Sequence, residues 1–127
     1  IDWIASDSYN SGKSTGYNSG DFNTMVNRVK ANWNGFYNWA TAKHPGKPLM
    51  LGEWGVFYQS TDPGRQAWFF NDVKANLAKY PALKMMSYFN AAVLDKGTTR
   101  IDASAASRDA YRSLSNSIPR IDITTAR

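Results

Sequence analysis

The chain contains no cysteine, and among its 127 residues there is a single histidine, His44. A disulfide framework, a thiolate nucleophile and thiolate zinc ligation are therefore excluded. One histidine cannot build a polyhistidine site either, and no metal or cofactor is expected. No apolar run approaches the roughly 18 residues of a membrane span, and no signal-peptide pattern opens the sequence. Blocks of like charge are missing as well. Lysine and arginine total 15 against 10 acidic residues, a net charge of +5. Yet Lys13, Arg28, Lys30, Lys43, Lys47, Arg65, Lys74, Lys79, Lys84 and Lys96 are dispersed. Scattered cations of this kind mark a solvated surface rather than a nucleic-acid stripe, so neither nucleic acid nor membrane is expected as a partner.

What the chain does have is a globular composition, 43% hydrophobic and 20% charged, at a length that allows one domain with a real core. It is also 14% aromatic, with five Trp and seven Tyr. Such side chains pack cores, and they also stack on sugar rings and bases.

Ile1 to Asp7 reads as a short strand, and the Ser, Gly and Asn-rich stretch from Ser8 to Gly20 reads as loop. Phe22, Met25, Val26, Val29 and Trp33 then recur at helical spacing behind a cap at Asp21. Gly35 interrupts this pattern, and Phe36, Tyr37 and Ala40 continue on a second helical stretch that ends before Pro45-Gly46. Lys47 to Glu53 is an apolar run bounded by turn signals, which suits a strand buried on both faces and ending in a carboxylate. Asp62-Pro63 predicts a helix start, with Trp68, Phe69, Val73, Leu77 and Tyr80 on one face and Pro81 as the stop. Leu83 to Asn90 is a third strand. A helix from about Ser104 to Asn116 follows, and 118–127 reads as alternating or as a loose tail.

Strand alternates with helix, and connections of this length imply parallel strands with right-handed crossovers. An open doubly wound sheet and a (β/α)8 barrel both fit, and both place chemistry at the carboxyl ends of strands. A closed barrel takes about 250 residues. Three such units are too few to close a barrel, so the expectation here is an α/β fold, either an open doubly wound sheet or a partial barrel, with 1–127 as a single domain.

Three strand ends draw attention, each with a plain structural alternative. Gly12-Lys13-Ser14-Thr15 is no phosphate loop, because Asp7 stands where its first glycine belongs and more loop follows instead of a helix. Glu53, beside Trp54, is either a salt-bridging residue or a carboxylate put to chemical use, since a charge next to buried positions is costly unless partnered. Asp7-Ser8-Tyr9-Asn10 is ordinary turn chemistry, or it brings a Tyr hydroxyl to a nearby carboxylate. Tyr88-Phe89-Asn90 is apolar packing or the floor of a sugar site. His44, Asp95 and Asp102 read as structural.

In order along the chain, Asp2-Trp3-Ile4-Ala5-Ser6-Asp7-Ser8-Tyr9-Asn10, Phe36-Tyr37-Asn38-Trp39-Ala40, Lys47-Pro48-Leu49-Met50-Leu51-Gly52-Glu53-Trp54-Gly55 and Met86-Ser87-Tyr88-Phe89-Asn90 resemble the C-terminal part of clan A glycoside hydrolases. Glycoside hydrolase family 26, the β-mannanase-like enzymes, is the most similar. The resemblance runs to about Leu114 and covers strands six to eight of a TIM barrel. It implies a retaining, endo-acting enzyme on β-linked polysaccharide, mannan or a related glucan, from a secreted or periplasmic parent. The family's nucleophile maps onto Glu53, and the tyrosine that hydrogen-bonds it maps onto Tyr9. Trp54, Asn10, Tyr88 and Phe89 become candidates for sugar binding. The family's acid/base glutamate ends strand four and has no counterpart here; neither Asp7 nor Asp95 matches its position. The expected partners are an oligo- or polysaccharide and a second chain or copy that completes the barrel. The alternative is a catalytically inactive sugar-binding or self-associating partial barrel.

Overall fold

The computed structural model describes residues 1–93, 95 and 97–119. Its centre is a parallel sheet of order β1-β2-β3, formed by Ile4–Asn10 (β1), Leu49–Val56 (β2) and Leu83–Tyr88 (β3). The crossover from β1 to β2 carries helices α1 (Phe22–Val26) and α2 (Phe36–Lys43); that from β2 to β3 carries α3 (Arg65–Asn76) and a 3-10 turn at Leu77–Lys79. After β3, the short antiparallel pair Ala92–Val93 (β4) and Gly97–Thr98 (β5) leads into α4 (Ala105–Ser117). The mixed α/β architecture with parallel strands is therefore present. The three strands form an open sheet and not a closed barrel.

One face of the sheet is packed under the helices. Leu49, Leu51, Trp54, Val56 and Leu83 meet Phe22, Val26, Phe69, Phe70, Val73, Ala110 and Leu114 in a single core. Each large side chain sealed there contributes about 1.5–3 kcal/mol. The opposite face is bare: Ala5, Asp7, Glu53, Met85, Ser87 and Phe89 are all exposed. Parallel sheets are ordinarily covered on both faces, so this one-sided burial is unusual.

Two irregularities in the ladder decide which residues reach which face. Ser6 pairs with Leu51 but Asp7 pairs with Glu53, leaving Gly52 as an extra residue in β2. Leu49 pairs with Leu83 but Met50 pairs with Met85, so β3 gains Lys84 in the same way. A bulge of this kind re-aims the residues that follow it.

Several sequence expectations are corrected. β1 extends through Asn10 rather than stopping at Asp7, because Ser8 and Tyr9 continue the pairing opposite Trp54 and Gly55. The first helix ends at Val26 and not near Trp33; Val29 is 62% exposed, and Lys30 and Trp33 pair across a turn. The reason is Asn27, which leaves helical geometry and turns its Oδ1 to accept the Asn38 N–H, 3.0 Å away, at the start of α2. Gly35 does interrupt the pattern. At φ +88° it precedes α2, and a Cβ there would lie 2.3 Å from Asn27 Oδ1. α3 begins at Arg65, after a turn in which the Arg65 N–H donates to Asp62 O. Trp68 lies outside the core, under the Arg65 guanidinium at 3.8 Å. The last helix is close to the predicted one, capped by Ser104 Oγ accepting the Ser107 N–H at 3.0 Å. Of the tail at 118–127, residues 120–127 lie outside the described residues.

Candidate functional site

The bulge at Gly52 lets the segment Leu51-Gly52-Glu53-Trp54-Gly55-Val56 send Leu51, Trp54 and Val56 into the core while Glu53 faces the open side. Two residues of β1 then hold Glu53. Asp7 Oδ1 accepts the Glu53 backbone N–H at 2.9 Å, at the step where the ladder is disrupted. Tyr9 Oη donates to Glu53 Oε2 at 2.7 Å. The Tyr9 ring can reach across because Gly55, its partner in register, has no side chain. A Cβ on Gly55 would stand 2.9 Å from Tyr9 Cε1. The ring is flanked by Phe57, centroid to centroid 6.2 Å, and edge-on by Phe89 at 6.1 Å.

Burial raises the Tyr9 phenol well above its ordinary value, and the hydrogen bond to Glu53 and the charges of Glu53 and Asp7 push the same way. Tyr9 therefore remains a donor throughout the neutral range. Among the described residues no group of three His, Asp or Glu side chains is placed to hold a metal ion.

Of the residues singled out in the sequence, the structure brings together Glu53, Tyr9 and Phe89, the last 38% exposed on the open face. The other three stand elsewhere. Trp54 is 3% exposed and packs edge-on against Tyr88 at 4.8 Å and Phe70 at 6.2 Å, leaving no ring face for a sugar. Tyr88 belongs to the same helix-side cluster, 5.1 Å from Tyr111, and its hydroxyl donates to Thr99 O at 2.6 Å. Asn10 is 2% exposed, with its amide spent on the loop that follows: Oδ1 accepts the Gly12 N–H at 2.9 Å and Nδ2 donates to Gly20 O at 3.2 Å.

Sequence reasoning missed the parts played by Asp7, Gly52, Gly55 and Phe57. The glycines on either side of Glu53-Trp54 were a usable signal, because glycine inside a strand marks a bulge or a close approach. A groove of about 580 Å³ runs along the free edge of β1, from Tyr9 and Asp7 past Arg28 and Lys30 to Trp33 and Trp39.

A carboxylate held by a phenol that stays protonated through the neutral range, in the C-terminal half of a central parallel strand and beside an exposed aromatic ring, can act as a nucleophile or bind polar ligand atoms. No protein-family model matches the chain, and no curated protein matches it.

Proposed function

We propose that the chain is the C-terminal portion, strands six to eight, of a (β/α)8 retaining glycoside hydrolase that cuts β-linked polysaccharide, mannan or a related glucan. The observation that carries this is the 2.7 Å hydrogen bond from Tyr9 Oη to Glu53 Oε2, which joins the two residues that the family resemblance pairs. The parallel strands support it, since barrel enzymes keep their chemistry at this end of the sheet.

Glu53 is the nucleophile. One carboxylate oxygen attacks the anomeric carbon as the bond to the leaving oxygen breaks, giving a glycosyl-enzyme that water later hydrolyses. Tyr9 holds the other oxygen and so fixes the angle of attack. Phe89 offers its exposed ring to the sugar. Protonation of the leaving oxygen falls to a second carboxyl about 5 Å away, supplied by a further β/α segment or chain. Among the described residues β1 and β3 each pair with β2 alone, which leaves two sheet edges for such a segment. The parent is secreted or periplasmic, where its polysaccharide is found.

A missing acid is worth about 10²–10⁴ in rate, so the chain alone is a weak catalyst on unactivated glycosides. The test is an activated 2-fluoro glycoside, whose leaving group needs no proton. Mass spectrometry should find one sugar on the peptide containing Glu53, and none in Glu53→Gln. Labelling elsewhere, or labelling that survives Glu53→Gln, would refute the assignment. The second reading is sugar binding without turnover, favoured by Asp7: its Oδ1 is occupied by the Glu53 N–H, which suits a structural carboxylate better than an acid. It requires that oligosaccharide affinity survive Glu53→Gln and that no label form.

A further inference from the structure

The loop at 11–20, between β1 and α1, is braced from several sides. The buried Asn10 amide ties its two ends together, bonding the Gly12 N–H at 2.9 Å and Gly20 O at 3.2 Å. The Ser11 N–H donates to Asn18 O at 2.8 Å, Gln59 Nε2 donates to Ser11 O at 2.7 Å, and Arg65 reaches Gly20 O at 2.7 Å. Gly12, at φ +69°, lies so close to the Phe57 carbonyl that a Cβ there would stand 1.7 Å from it. A loop held this firmly nevertheless presents two large side chains to solvent. Tyr17 is 85% exposed, and Lys13 is exposed and forms no ion pair among the described residues.

Both line a cavity of about 300 Å³ between this loop and Phe57 and Gln59, and Tyr9 lines it as well. That volume is at the lower end of ligand pockets, roughly 300–1,000 Å³. Tyr9 touches both this cavity and Glu53, so a chain of sugars with one ring at Glu53 can place another ring here. No acidic side chain lines the cavity, and its walls are aromatic and amide side chains with one serine and one lysine.

We infer that this cavity is a subsite for a uronic acid residue of the polysaccharide, with Lys13 pairing its carboxylate and Tyr17 and Phe57 packing on its ring. The inference rests on the glycoside hydrolase reading and adds the substrate's charge to it. An exposed pair of this kind contributes a modest preference, about threefold in affinity at low salt, and is screened as salt rises.

The test is calorimetric titration with two probes, a β-linked tetrasaccharide ending in glucuronic acid and its neutral glucose counterpart. The acidic probe should bind about threefold more tightly at low ionic strength. Lys13→Ala should remove that preference and leave the neutral affinity alone, whereas Lys13→Arg should keep it. Tyr17→Ala should weaken both probes alike. Equal binding of the two probes, a preference that survives Lys13→Ala, or no binding of either overturns the inference. The catalytic reading is scored separately by the Glu53 label. A label without a Lys13-dependent preference refutes only the uronate subsite; a preference without a label refutes only the nucleophile.

Discussion

Replacing Gly55 by alanine tests the geometry that joins Tyr9 to Glu53. The new Cβ would stand 2.9 Å from Tyr9 Cε1, 3.0 Å from Tyr9 Cδ1 and 3.2 Å from Thr99 Cγ2. The first two contacts are with a ring already wedged between Phe57 and Phe89, so the ring must swing away and its hydroxyl must leave Glu53. Overpacking of this kind costs about 1–3 kcal/mol. In a chain of 127 residues that is a fall of roughly 4–12 °C in Tm. In a Tyr9→Ala background the ring is gone and the nearest remaining contact is the Thr99 methyl at 3.2 Å, which has to give by a few tenths of an ångström. There Gly55→Ala should be close to neutral, and it regains up to about 0.5–1 kcal/mol because alanine is better than glycine inside a strand. Urea denaturation of the wild type, both single variants and the double variant measures the coupling, expected at about 1–3 kcal/mol. If Gly55→Ala costs the same with and without the Tyr9 ring, the ring does not lie across Gly55 and the account of the site is wrong.

Asp7→Ala should free the Glu53 amide, which now donates to Asp7 Oδ1 at 2.9 Å, and speed its hydrogen exchange at a cost of about 0.5–1.5 kcal/mol; Asp7→Asn keeps an acceptor and should preserve the protection. Asn10→Ala leaves two backbone groups of the loop at 11–20 without their partner, so it should destabilise by about 1–3 kcal/mol and raise exchange at Gly12 ahead of the core strands. Asp21 caps α1: burial works against its charge, but hydrogen bonds from the Thr24 side chain and N–H outweigh it and hold the carboxyl below its ordinary 3.8. A folded-state value below the unfolded one stabilises above 3.8 and loses that contribution as pH falls through the folded value. The stability gap between wild type and Asp21→Ala should therefore be full near neutrality and shrink in acid, and a gap independent of pH would refute the capping role.

The elements with strong local signals were legible in the sequence. The apolar run Lys47 to Glu53 marks β2, although the strand spans Leu49–Val56 and is buried on one face rather than both; the last helix, expected from about Ser104 to Asn116, spans Ala105–Ser117; and Gly35 marks the break before α2. The pairing of Tyr9 with Glu53 was expected from the family resemblance, whereas the residues alone left Tyr9 between turn chemistry and a hydrogen bond to a nearby carboxylate; the structure places its hydroxyl 2.7 Å from Glu53 Oε2. The end of α1 was not legible: Val29 and Trp33 keep helical spacing, but Asn27 spends its side chain on capping α2 instead. That choice is tertiary, and spacing along one segment carries no trace of it.

Trp54 and Tyr88, candidates for sugar binding by the family resemblance, are turned to the helix side by the two bulges, the first buried and the second half-buried. A strand read as strictly alternating places Leu51 and Glu53 on one face, with Gly52 and Trp54 on the other. On that count Glu53 would point into the core beside Phe70 and Val73, a burial that no described cation offsets, while Trp54 would be free to stack on a sugar. One extra residue at Gly52 reverses both assignments, because a shift of one position moves every later side chain across the sheet. The insertion of Lys84 does the same for β3, turning Tyr88 into the core and Phe89 toward the open face. Hydrophobicity could have supplied the correction. Leu51, Trp54 and Val56 are the large apolar side chains of this stretch, and only a bulge between the first two puts all of them on one side while leaving the carboxylate on the other. The strand irregularity and the exposed glutamate are thus one feature: the cost of burying Glu53 selects the bulge, and the bulge puts Glu53 within reach of Tyr9.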